Sequence, residues 1–175
     1  MSHDAIVYPD DLLQVRAACR QRVRRVSWYS AGAAAMPIPL LDLVVDVGIL
    51  VNLLPDINQQ FGLAPAQIEA LPAETRLQVW KRRAERGSEL IGMVVTRELV
   101  KRSLQGFGMR MAASQVVRFI PLGGQIMSAT LGYWIMRRLA WQHIDDCFDV
   151  ALAARGIQAP TPPTGLKRMT RWVTP

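Results

Sequence analysis

Apolar positions in this chain gather in long runs at helical spacing, and none shows the strict alternation of a strand bounded by hairpin turns. The densest run is residues 31–63, AGAAAMPIPLLDLVVDVGILVNLLPDINQQFGL. Small residues from Ala31 to Ala35 lead into Pro37 and Pro39, and the run closes on Phe61-Gly62. Pro39 suits the first turn of a helix, where its missing N–H costs nothing. Gly62 suits the left-handed residue just past a helix end. At about 100° per residue, Asp42, Asp46, Ile49, Leu53 and Asp56 fall on one stripe, while Leu43, Val44, Val47, Leu50 and Leu54 cover the rest. A helix that is apolar nearly all round is buried, in protein or in lipid. Asp42 and Asp46 on it therefore need a partner, and an arginine or backbone N–H groups between helices are the expected ones.

The rest of the chain reads as further helices. Pro9-Asp10-Asp11 opens the first, with acidic groups favourable to the dipole, and the pattern carries it to about Tyr29. After Gly62 comes a short helical segment ended by Pro72, then a charged helix from Ala73 to about Arg86. Ser88 is placed to cap a following helix with apolar positions Leu90, Val94, Leu99 and Leu104. The last long helix starts near Pro121 and runs to Arg155, stopped by Gly156. The expected fold is all-α: one helical domain over residues 1–155, then a Pro/Thr-rich basic tail, 156–175, expected to be poorly ordered. Ile38-Pro39-Leu40 and Ile120-Pro121-Leu122 each precede an apolar helix, and the second helix has Gly124, Ser128 and Gly132 at four-residue spacing. Such a ridge of small residues lets another helix approach closely, so the two are expected to pack as a central pair.

Charge changes the picture more than length does. The formal net charge is +7 and the isoelectric point about 10.2, on a chain whose mean hydropathy is +0.12. That balance favours anionic partners, acidic lipid or nucleic acid. The first helix carries Arg16, Arg20, Arg22, Arg24 and Arg25, then Trp28 and Tyr29 where it meets the apolar stretch. Basic residues followed by aromatics resemble a membrane-interface border, which makes Arg20, Arg24, Arg25 and Trp28 the candidate membrane- or partner-facing residues. No helix-turn-helix, zinc-finger or RNA-binding signature accompanies the basic runs, which disfavours nucleic acid. The opening MSHDAIVYPDD lacks a signal-peptide pattern, so a cytoplasmic, membrane-associated location is expected. A spanning helix is the rival reading. Phe119 to Met136 is free of charge but holds Pro121 and several polar residues, and Asp42 and Asp46 would each cost about 2.5–3.5 kcal/mol at a bilayer centre.

Candidate chemistry is sparse. His143, Asp145, Cys147 and Asp149 have metal-ligand types, with His143 facing the same way as Cys147 and Asp145 the same way as Asp149. Only His3 and Cys19 remain to complete a site, so no metal is expected, and the cluster reads instead as an acidic face near Arg137, Arg138 or the basic first helix. Cys19 and Cys147 lack CxxC spacing and read as reduced, buried thiols. Asp42 and Asp46 have no nucleophile or histidine beside them, so no catalytic residue or cofactor is assigned.

PIPLLDLVVDVGILVNLLPDINQQFGL resembles the helical domain of the immunity-related, interferon-inducible GTPases and their bacterial relatives, in which a Pro-x-Pro, an Asp-bearing apolar helix and a Phe-Gly-Leu follow in this order. RFIPLGGQIMSATLGYWIMRRLAWQHIDDCFDVAL is similar to that domain's second apolar helix. The resemblance covers about residues 25–155 and rests on Pro37, Pro39, Asp42, Asp46, Phe61, Gly62, Pro121, Gly124, Ser128 and Gly132, as structural and interaction positions. It departs where a GTPase domain would stand. A phosphate-binding loop needs Gly-Lys-Ser/Thr, and the three lysines here follow Trp80, Val100 and Leu166. The resemblance therefore implies a non-enzymatic helical module that touches acidic membrane lipid, meets a GTPase on another chain, or forms a homo-oligomer. An integral, pore-forming protein built from two apolar hairpins is the alternative.

Overall fold

The computed structural model describes residues 8–34, 41–103 and 124–157, with side chains for 8–28, 47–103 and 136–157. Pro37, Pro39, Pro121 and both Ile-Pro-Leu segments lie outside the described residues, as does the tail from 158. Asp42, Asp46, Gly124, Ser128 and Gly132 lie on described helices, but their side chains are outside the description.

The protein is a single all-α domain. Among the described residues the helices are, in order, α1 (Asp10–Ala34), α2 (Leu41–Gln60), α3 (Pro65–Glu69), α4 (Ala73–Arg86) and α5 (Gly124–Ala154). A further helical segment occupies 97–103. The first helix thus runs a turn beyond Tyr29, because the small residues that follow offer no stop. Three helices end alike. At Gly62, Gly87 and Gly156 the chain turns left-handed with φ of 71°, 64° and 74°. In each, the next amide reaches back to the last turn: Leu63 to the Asn58 carbonyl at 2.8 Å, Ser88 to Arg83 at 3.3 Å and Ile157 to Leu152 at 3.0 Å. This paired closure satisfies carbonyls that a helix end otherwise leaves open.

Contacts fix the helix directions. On α1, Asp11 meets Arg155, Arg16 meets Asp145, and Arg20 lies by Trp141, so rising numbers on α1 meet falling numbers on α5. Arg22 binds Asp56 and Cys19 binds Gln60, so α1 is antiparallel to α2 as well. The apolar helices α2 and α5 therefore run parallel, and they touch through Asn58 and His143. The C-terminal end of α1 gathers with the N-terminal ends of α2 and α5 at one end of the bundle. The core between them takes Leu12, Cys19 and Val23 from α1, Leu50, Leu54 and Ile57 from α2, and Ala140, Ile144 and Leu152 from α5. Each such aliphatic side chain contributes about 1.5–3 kcal/mol by leaving water. α4 covers the other flank of α5 and is tied to α3 by Arg76, which donates to the Glu69 carbonyl at 3.2 Å.

One expectation fails. Ser88 caps no helix: residues 88–96 form turns and irregular chain, and Val94 is exposed rather than on an apolar face. The helical segment starts instead after Thr96, whose hydroxyl accepts from the Leu99 amide at 3.2 Å. Gly92 explains the break. Its φ is 68°, and a Cβ there would lie 2.6 Å from Ile68 Cδ1, so the chain must turn where the loop presses onto α3 and Trp80.

Candidate functional site

Polar groups collect at three places. The first is buried, where α2 and α5 meet. Asn58 Nδ2 donates to the Leu90 carbonyl at 2.8 Å, which leaves its Oδ1 facing His143 Nε2 at 3.0 Å. That arrangement places a proton on Nε2, since the amide oxygen can only accept. Cys147, one turn after His143, points its thiol at the same Oδ1 at 3.4 Å and lies 3.5 Å from Nε2. Burial pushes the imidazole down to about 4, with contact to the Leu54 backbone pulling the other way. Burial also pushes the Cys147 thiol up, helped by Asp146 and Cys19. Cys19, bound to Gln60 at 3.3 Å, is held up at about 11. At neutral pH the node is a neutral imidazole and two thiols closed from water, so it offers neither a thiolate nor a charged acid. Its geometric effect is to pin the 88–96 loop, through Leu90, onto the seam between α2 and α5. Both cysteines are free and buried, as expected of reduced thiols.

The second place is the row of aspartates on α5, and its two flanks divide the work. Asp145 receives Arg16 and Arg20 of α1, each at 2.7 Å, with all three side chains partly open to water. Asp146 and Asp149 turn to α4, where Arg86 binds Asp149 and comes within 3.7 Å of Asp146. Arg86 is 10% exposed and Asp146 6%, so this is a buried ionic contact. Asp145 of this row lies against the basic first helix, as expected, whereas Asp146 and Asp149 face α4. Asp145 and Asp149, although one turn apart, are claimed by different helices, because α5 is sandwiched between α1 and α4. Among the described residues, no group of three or more His, Cys, Asp or Glu side chains is placed to hold a metal.

The third place is the outward face of α1. Leu12, Cys19, Val23 and Ser27 turn inward, which leaves Gln14, Ala17, Ala18, Gln21, Arg24, Arg25 and Trp28 along the opposite side. They line an open depression of about 640 Å³, with Trp28 72% exposed at the end nearest the apolar segments. Among the described residues, Arg24 and Arg25 have no ion-pair partner. Arg20 stands apart from them: it is bound to Asp145 and lies over the Trp141 ring at 5.8 Å. Sequence spacing groups Arg20 with Arg24, one turn on, but cannot show that Asp145 arrives from 125 positions away.

Among the described residues, no helix is long and apolar enough to cross a membrane. No family model, curated protein or solved structure matches the chain.

Proposed function

We propose that this chain is a non-enzymatic helical module that works at an acidic membrane surface, beside a GTPase supplied by another chain. The observation that carries the membrane part is the outward face of α1. Arg24 and Arg25 stand exposed there, beside the exposed indole of Trp28, on the helix end that gathers with the start of both apolar helices. A basic side chain near an anionic leaflet contributes about 1 kcal/mol, and an indole favours the headgroup level. The inner arginines are committed to aspartates, so the attraction falls to the outer ones. The GTPase as partner rests on the resemblance of the two Ile-Pro-Leu blocks and on the absence of Gly-Lys from this chain.

Flotation of the purified chain with vesicles tests the membrane reading. Binding to vesicles rich in phosphatidylserine, little binding to phosphatidylcholine alone, and weakening as salt screens the attraction are expected. Equal flotation with neutral vesicles at high salt would replace this reading with hydrophobic insertion. Failure to float under any condition would remove it.

A further inference from the structure

Arg83, near the end of α4, holds the 88–96 loop at three points. Its guanidinium lies over the Trp80 ring at 4.9 Å, and its Nε donates to the Ser88 carbonyl at 3.0 Å. Its Nη2 donates to the Glu89 carbonyl at 3.2 Å and to the Met93 sulfur at 3.0 Å. One arginine thus ties the chain on both sides of the Gly92 bend to α4, while Asn58 pins Leu90 between them.

The three bonds are unequal. The two carbonyls are full acceptors, whereas a thioether sulfur is a weak one. Met93 is also open to solvent, 42% exposed, while Met136 on α5 is fully buried. Arg83 engages one lone pair of the Met93 sulfur and leaves the other free to react.

We propose that Met93 is an oxidation site for hydroperoxides, and that Arg83 holds its sulfoxide more tightly than its thioether. In the reaction with hydrogen peroxide, the free lone pair of sulfur attacks one peroxide oxygen. The S–O bond forms as the O–O bond breaks, and the other oxygen leaves as water with the proton of the attacked one. Sulfur loses two electrons and the peroxide gains them. The sulfoxide oxygen is a strong acceptor, and a bond to it from a guanidinium is charge-assisted. Rotation about the flexible methionine torsions brings that oxygen to Nη2. Oxidation therefore tightens the loop, the reverse of its effect in a core, where a new polar oxygen disrupts packing. Methionine sulfoxide reductases return the thioether.

Graded hydrogen peroxide on the full chain, followed by peptide mass mapping, tests the site. Met93 should convert at least about tenfold faster than Met136. Hydrogen exchange tests the consequence at the Gly87 and Ser88 amides, which bond back to the last turn of α4. After oxidation they should exchange about threefold more slowly, as one strengthened hydrogen bond on the loop implies. Reduction by methionine sulfoxide reductase should restore the starting rate. The chain has eight methionines, so Met93→Leu treated in parallel isolates the effect and should show no slowing. Met93→Gln, which supplies an amide oxygen without peroxide, should exchange slowly from the start. Equal conversion of Met93 and Met136 overturns the proposal. So does unchanged or faster exchange in the oxidised wild type, or the same slowing in Met93→Leu.

Discussion

The arginines that turn toward α5 and those that turn away from it differ in everything but residue type. Arg16 and Arg20 reach Asp145, and Arg86 reaches Asp146 and Asp149. Arg24 and Arg25, one and two turns further along α1 than Arg20 and Arg16, stand exposed. Azimuth alone separates them: at about 100° per residue, positions 16 and 20 lie on the edge of the buried stripe, while 24 and 25 have rotated past it. The lesson is that the +7 charge is not one property of the molecule. Part of it neutralises the acidic row on α5, and the remainder is available to a partner.

Removing Arg86 should break the inward set most severely. Arg86→Ala removes the guanidinium that Asp146 and Asp149 share in poorly hydrated positions, a loss of about 3–5 kcal/mol in urea unfolding. A loss under 1 kcal/mol would show that water reaches these carboxylates.

The buried node gives the next largest effect, and its sign is fixed by His143. The folded imidazole takes a proton only near 4, whereas the unfolded one takes it from about 6.5. The stabilising contribution is therefore complete above about pH 6.5 and is lost as pH falls toward 4, about 3 kcal/mol in all. His143→Gln keeps a donor for Asn58 Oδ1 and removes the titration. Its stability should vary much less with pH across that window, and an unchanged slope would mean that other groups dominate acid unfolding.

Asp145→Ala should cost only about 1 kcal/mol, because its side chain and those of Arg16 and Arg20 are about a third exposed and solvent screens them. The ratio between this value and that for Arg86→Ala measures how unequal the two flanks of α5 are.

Much of the fold was legible because its signals are local. Gly62 and Gly156 marked helix ends, Ala73 and Arg86 bounded α4, and helical spacing excluded strands. What was hidden depends on distant residues. Ser88 looks like a cap until Gly92 is seen pressed against Ile68 and Trp80. His143 and Cys147 share a face by spacing, yet Asn58, which gives that face its meaning, comes from 85 positions away. Arg20 belongs with Arg24 by sequence and with Asp145 by packing. Local periodicity can say that a residue is inside, but not which of several helices supplies its partner.

The outward set is the central claim, and its loss should barely alter stability. Arg24→Glu combined with Arg25→Glu should shift unfolding by no more than about 0.5 kcal/mol, as befits exposed sites. The direct measurement is flotation of this double variant beside the wild type, with phosphatidylserine vesicles at low salt. The account predicts that the wild type floats and that the double variant, folded and melting normally, stays at the bottom. Equal flotation of the two would contradict it.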